Sequence, residues 1–378
     1  MKGNMRFCVP CLFGVEGLVA QELRDMGLEQ VQAENGRVLF SGGWEAMVRA
    51  NLCCRFGERV LLLLGEFPAR SFEELFQGVK ALPWEGLLGK EDAFPVTGSS
   101  LSSQLHSVPD CQAIIKKAIV ERLKAKYKLS WFAESGSLHR VRFRILKDQV
   151  SVLVDTSGEG LHKRGYRALS NDAPMKETLA ASLCQLSRLR QDGRLIDPFC
   201  GSGTILIEGA LLARNIAPGL GRAFTAESWG SVPGQLWQQE RERARFLERR
   251  DTGFTAQGFD VDPAAVELTL ANAQKAGVED CITASVRDVR DFTQEGPYGC
   301  VVCNPPYGER LLDVRQAQEL YRALGQVFRP RRGWSFGVIS PDPEFESLFG
   351  RKADKRRKLY NGMIQCQYYQ YFRGSDKR

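Results

Sequence analysis

From about residue 160 onward, short apolar, β-branched runs alternate with amphipathic stretches, and few architectures accommodate that alternation. Strand-like runs at 195–197, 256–260, 282–286, 299–303, 334–339 and 363–372 are separated by segments long enough for crossover helices. Parallel strands require such crossovers, so the pattern predicts a parallel sheet carrying helices on its faces. Met175, Leu179, Leu183 and Leu186 recur at helical spacing, and a second helix runs over 205–214 and stops near Pro218. A third is opened by Asp262 and Pro263 and closed by Gly277.

The first 160 residues lack this alternation and read as an α+β region. Strands at 6–9, 30–33 and 37–41, with helices at 15–26 and near 44–52, make one small unit ending at about residue 57. The next begins with an apolar strand at 60–64. Ser71 and Glu74 have capping-box spacing and open a helix that Pro83 ends. Residues 110–127 are helical in period, with Ile114, Ile115, Ala118, Ile119 and Leu123 facing inward. Residues 138–146 alternate strictly, Val141, Phe143 and Ile145 on one face and Arg140, Arg142 and Arg144 on the other, and 149–155 supply a partner strand. A length of 378 residues exceeds one ordinary core and implies two or three domains, and the changes of pattern place three, at 1–57, 58–160 and 161–378.

Charge is unevenly placed. The net +7 is carried by residues 112–147, which hold ten lysines and arginines against Glu121 and Glu134. A second basic run, Arg351, Lys352, Lys355, Arg356, Arg357 and Lys358, is opposed only by Asp354. Such concentration suits a polyanion, with a solvated basic face as the alternative. Lys116 and Lys117 on the helix and Arg140, Arg142 and Arg144 on the strand are the candidate phosphate contacts. No apolar run approaches a membrane span, and Glu16, Glu22 and Arg24 break up the N-terminal one, so a cytoplasmic protein without membrane association is expected. Eleven cysteines, an odd count without framework spacing, indicate reduced thiols. Of the two Cys-x-x-Cys pairs, Cys8/Cys11 and Cys300/Cys303, the second lies on a strand where an odd offset separates the side chains. With only His106, His139 and His162 besides, no metal is expected.

Four motifs carry chemistry. Asp197-Pro-Phe-Cys-Gly-Ser-Gly-Thr204 lies between a strand and a helix, where Gly201 and Gly203 allow a sharp turn and close approach to a ligand. Leu206 replaces the third small residue of a nicotinamide fingerprint, and no Gly-Lys-Ser/Thr follows as in a phosphate loop. Asp197 can meet the ammonium of a methionine-like group; a structural turn is the other reading. Asp260, at the end of the next strand, offers two acceptors to a ribose diol, and Asp262 reads as a helix cap. The gap of about sixty residues between glycine loop and acid implies an insertion at about 215–250. Asp288 is either an acceptor for an adenine amino group or a surface acid. Asn304-Pro-Pro-Tyr307, directly after an apolar strand, is the most specific. An exocyclic base amine must become tetrahedral to attack a methyl group. The Asn304 amide oxygen and the Pro305 carbonyl can accept its hydrogens on a loop stiffened by Pro305 and Pro306, while Tyr307 offers a face to an extruded base.

The run from Asp197 to Glu208 and the Val-Cys-Asn-Pro-Pro-Tyr run resemble the THUMP-domain family of class I RNA methyltransferases, nearest the bacterial 23S rRNA guanine-N2 enzymes. Asp155-Thr-Ser-Gly, Leu161-His-Lys-Arg-Gly-Tyr-Arg167 and Ala173-Pro-Met-Lys-Glu-Thr-Leu-Ala-Ala181 are similar to that family's junction. The resemblance implies a ferredoxin-like part and an RNA-binding THUMP domain before a Rossmann-like class I methyltransferase domain. It also implies S-adenosylmethionine, held by Asp197, Phe199, Cys200, Gly201, Gly203, Thr204, Asp260, Asp288 and Asn304. The expected reaction is methylation of a guanine N2 in 23S rRNA, with tRNA as another RNA partner to consider. Adenine-N6 methylation of RNA or DNA is the rival chemistry, and a non-catalytic RNA-binding assembly factor the rival class.

Overall fold

The computed structural model describes residues 4–167, 175–307 and 313–372. They form two units, each built on its own seven-stranded sheet.

In chain order the first unit's elements are β1 (Met5–Pro10), α1 (Glu16–Asp25), β2 (Glu29–Glu34), β3 (Arg37–Gly42), α2 (Trp44–Cys53), β4 (Leu61–Pro68), α3 (Phe72–Ala81), β5 (Val96–Leu101), α4 (Val108–Tyr127), β6 (Val141–Leu146) and β7 (Gln149–Asp155). The strands order as β2-β3-β1-β4-β7-β6-β5, so one sheet runs unbroken through both of the N-terminal regions distinguished by sequence. All its pairings are antiparallel except β5 with β6, which α4 connects as a crossover helix. Ser71 caps α3 by accepting from the Glu74 amide (3.2 Å), as the sequence indicates. On β6, Val141, Phe143 and Ile145 are buried while Arg144 is exposed.

The segment Ala223–Arg243 also belongs to this unit, and it falls within the insertion read between the glycine loop and Asp260. Trp229 is fully buried, stacks on His139 at 4.3 Å, and donates its indole N–H to the Leu138 carbonyl (3.0 Å). In the helix that follows, α7 (Gly234–Phe246), Glu240 takes a two-pronged contact from Arg49 (2.7 and 2.9 Å). A fragment ending at residue 160 therefore lacks part of its own core. Trp229→Ala in the full chain is expected to destabilise the first unit by about 3 to 5 kcal/mol. Chemical denaturation followed by near-ultraviolet circular dichroism measures this, and an unchanged midpoint would contradict it.

The second unit contains α5 (Glu177–Leu186), β8 (Arg194–Asp197), α6 (Thr204–Ala213), β9 (Thr255–Asp260), α8 (Pro263–Ala276), β10 (Ile282–Val286), β11 (Gly299–Cys303), α9 (Val314–Val327), β12 (Trp334–Ser340), α10 (Phe345–Phe349), β13 (Lys355–Asn361) and β14 (Ile364–Tyr371). Its order is β10-β9-β8-β11-β12-β14-β13, with β10 to β12 parallel and a terminal antiparallel hairpin. The fold is thus a mixed α/β sheet preceded by an α+β region. Trp334, Phe336, Tyr321, Leu324 and Phe328 form its core beneath α9. Residues 12–18 group with this unit, where Arg357 donates to the Gly14 carbonyl (2.7 Å). Behind the glycine loop, Arg164 and Glu208 form a buried ion pair (3.4 Å) that ties the 161–167 junction to α6. No helix among the described residues is long and apolar enough to cross a membrane.

Candidate active site

Strand register brings the motif residues to one edge. Asp197 pairs across from Gly258, and Asp260 across from Val286, so β9 and β10 end level and β8 ends two residues short of them. The chain leaves β8 towards β9 and later returns to its other side as β11. Strand order reverses there, which opens a crevice at the carboxyl edge of such a sheet.

The glycine loop is held from two sides. The Cys200 amide donates to the Phe259 carbonyl (2.9 Å) and the Gly201 amide to the Asp260 carboxylate (2.9 Å). From α8, Thr269 donates to the Gly201 carbonyl (2.9 Å) and Asn272 to that of Ser202 (3.0 Å). Gly203, the N-cap of α6, has φ +79°, and a Cβ there would stand 2.9 Å from the Thr269 methyl group. A side chain at this position is thus excluded by conformation and by space.

Asp197 is buried and accepts from the Phe199 amide (3.0 Å). Burial pushes its carboxyl up to about 8; the Phe199 N–H opposes this and the nearby Asp260 carboxylate adds to it. Asp260 accepts from the Gly201 and Asp262 amides (2.9 and 3.1 Å), while Asp262 caps α8 through the Ala264 amide (2.9 Å). Asp288 lies just beyond β10 and caps a short 3-10 turn, accepting from the Arg290 amide and guanidinium (both 2.8 Å).

Two loop side chains have partners within the fold. The Cys200 thiol accepts from the Thr269 hydroxyl (3.6 Å), and burial pushes it up to about 12. Thr204 turns its hydroxyl to Arg167, which donates at 2.6 Å. Arg167 was present in the junction motif but had no assigned role.

Asn304 follows β11 and is half-buried. The Tyr307 hydroxyl donates to its amide oxygen and accepts from Asn361 (3.3 Å). Burial holds the Tyr307 phenol far above its ordinary range, so it stays a donor. Tyr321 fixes the loop through the Pro306 carbonyl (3.3 Å). Tyr307 is therefore anchored at its hydroxyl, which bonds the Asn304 amide oxygen. Asn361, at the end of β13, was missed because 351–358 read only as a basic run; the turn glycine that follows it, Gly362, was the available signal.

The basic candidates divide. Lys116 bonds Glu134 and the Phe94 carbonyl and lies over the Phe94 ring at 3.6 Å. Arg142 donates to buried Asp155 (3.1 Å), which also takes Arg59 (2.8 Å). These two are occupied within the unit, whereas Lys117, Arg140 and Arg144 are exposed. Of the junction motif, Ala173 and Pro174 lie outside the described residues. No group of three or more His, Cys, Asp or Glu among the described residues could hold a metal ion.

Three family models match in chain order: the RlmL ferredoxin-like domain over residues 6–61, the THUMP domain over 69–155, and the RMKL-like methyltransferase domain over 164–370. YpsC of Bacillus subtilis (strain 168) is 44% identical over 361 residues, covering 95% of this chain and 94% of YpsC. The chain belongs to the RlmKL/YpsC methyltransferase family. Within the family, the ribosomal RNA large subunit methyltransferase K/L of Psychromonas ingrahamii is 35% identical across 99% of this chain, which spans about half (51%) of that longer protein. The crystal structure of SMU.472 in complex with SAH is 42% identical, superposes with a TM-score of 0.94, and each chain covers 100% of the other. This family member is accordingly an S-adenosylmethionine-dependent methyltransferase. The site fits that cofactor: a buried carboxyl free to meet an ammonium, a second with lone pairs to spare for a diol, and a loop that excludes side chains.

Proposed function

We propose that this protein methylates the exocyclic N2 of a guanine in large-subunit ribosomal RNA. The Asn304-Pro-Pro-Tyr loop carries the transfer to a base amine, because it stands at the carboxyl edge of β11, beside the crevice holding Asp197 and Asp260. The 35% identity to a ribosomal RNA large subunit methyltransferase K/L supports the ribosomal target, and the resemblance to the guanine-N2 enzymes favours guanine over adenine. When bound, S-adenosylmethionine supplies an electrophilic methyl group. Asp197 would take its ammonium and Asp260 its ribose hydroxyls, and Asp288 would accept from the adenine amino group. Asn304 and the Pro305 carbonyl accept the hydrogens of the base amine, turning its lone pair out of the ring. Pro306 stiffens the loop and Tyr307 holds Asn304 in orientation, so the acceptors need little reorganisation as the nitrogen becomes tetrahedral. Lys117, Arg140 and Arg144 support RNA binding with a steep salt dependence.

Incubation with labelled cofactor and RNA from cells lacking the enzyme, followed by mass spectrometry of the nucleosides, tests this. N2-methylguanosine in 23S rRNA is expected. N6-methyladenosine would overturn the guanine assignment, modified tRNA the ribosomal one, and no transfer to RNA the whole proposal.

The raised carboxyl of Asp197 predicts a pH signature. A carboxyl with its titration near 8 is neutral at pH 6.5 to 7, and an arriving ammonium drives it to ionise. Cofactor binding should therefore release close to one proton in that range, and affinity should rise with pH towards 8. Calorimetry in buffers of different ionisation enthalpy measures the release; proton-neutral binding would remove Asp197 from the ammonium site.

A further inference from the structure

Hairpin β13–β14 turns through two residues, since Asn361 pairs with Ile364. Gly362 has φ +63°, as the first central position of a type II′ turn requires. The second is Met363, 97% exposed, the most exposed large apolar side chain among the described residues. Turn tips favour small and polar residues, so a methionine standing wholly in water asks for an explanation.

Its neighbours supply one. Asn361 donates to the Tyr307 hydroxyl (3.3 Å), which in turn donates to Asn304, and Cys366 on β14 lies 3.9 Å from the same hydroxyl. The hairpin is thus bonded to the loop that holds the reacting amine, and Met363 stands at its tip, two residues beyond Asn361. The strand leading to the tip is cationic, with Lys355, Arg356 and Lys358 exposed. Beside it, Phe13 is exposed and lies edge-on to Tyr360 at 6.5 Å, with the Lys358 ammonium 5.7 Å from the Tyr360 ring. One apolar tip flanked by cations and two rings matches a nucleic acid strand, whose phosphates meet the cations and whose stacked bases admit a narrow apolar group.

We propose that Met363 is a wedge that enters the base stack where the target nucleotide leaves it. This rests on the reading that the Asn304 loop methylates an RNA base. A base in a helix cannot reach Asn304 without leaving its stack, and enzymes acting on bases extrude them. Apolar side chains, methionine among them, are inserted between base steps by proteins that unstack duplexes. Lys355 and Lys358 hold the backbone while Met363 fills the gap.

The test compares Met363→Ala and Met363→Leu with the unaltered protein. The acceptor is RNA from cells lacking the enzyme, either folded in magnesium or fragmented and heat-denatured. The alanine variant should lose about tenfold or more in kcat/KM on folded RNA, and the loss should shrink to about twofold on denatured RNA, where the base is already unstacked. The leucine variant should recover most of the activity on folded RNA. Wild-type kcat/KM of Met363→Ala on folded RNA, or an equal loss on both forms, would overturn the wedge while leaving the methyltransferase reading intact. Absence of methyl transfer to RNA by the unaltered protein would bring down both.

Discussion

Asn304→Ala should lower the single-turnover rate of methyl transfer by on the order of 100-fold or more while leaving cofactor affinity nearly unchanged. Loss of one preorganised partner of a transition state typically has an effect of that size. The structure sharpens the expectation, because Asn304 is bound to the Tyr307 hydroxyl and not to the glycine loop, so its removal leaves the Asp197 and Asp260 contacts intact. Tyr307→Phe should show a smaller loss in the same step, since it frees the Asn304 amide without deleting it. Rapid-quench kinetics with saturating cofactor and RNA separate the chemical step from binding. Wild-type turnover by Asn304→Ala would make the Asn-Pro-Pro-Tyr loop a structural turn and send the search for the catalytic centre elsewhere.

Asp260→Ala should give the opposite pattern. Cofactor affinity should fall more than tenfold, about 1.4 kcal/mol or more, and activity should return in part at high cofactor concentration. Two effects act together: the ribose loses its acceptors, and the Gly201 and Asp262 amides lose theirs, which loosens the glycine loop. Asp260→Asn keeps one acceptor oxygen and should fall between the alanine variant and the unaltered protein. Calorimetry without RNA reports this directly, and an undiminished affinity in the alanine variant would remove Asp260 from the cofactor site.

What was legible in the sequence was short in range. The glycine loop, the Asp262 cap and the Asn-Pro-Pro-Tyr loop lie at strand ends, where a few adjacent residues decide the backbone. Elements whose partners are distant were not read. β5 (Val96–Leu101) is mostly polar and mostly exposed, and it becomes a strand by pairing with β6 some forty residues on. β13 was hidden by its cationic side chains, although Leu359 is buried within it. α9 did carry a signal, with Ala317, Leu320, Tyr321 and Leu324 at helical spacing on its buried face. The fates of Lys116 and Arg142 depend on Glu134 and Asp155, and no local pattern distinguishes an arginine facing a buried carboxylate from one facing solvent. Similarly, nothing in residues 223–243 alone says that Trp229 completes a core begun by His139.

That last arrangement bears on how the chain is made. Synthesis delivers residues from the N-terminus at about 5 to 20 per second, and domains ordinarily fold as they emerge. Here the first unit cannot close when residue 161 appears, because it waits for residues 223–243. The delay is roughly 4 to 16 seconds at those rates, during which the surface that Trp229 later covers faces water. The wait is longer still for Gly14, whose carbonyl is met by Arg357, near the far end of the chain. A ribosome stalled between residues 161 and 223 would therefore carry a first unit with an open flank, and chaperone occupancy of nascent chains should peak in that interval.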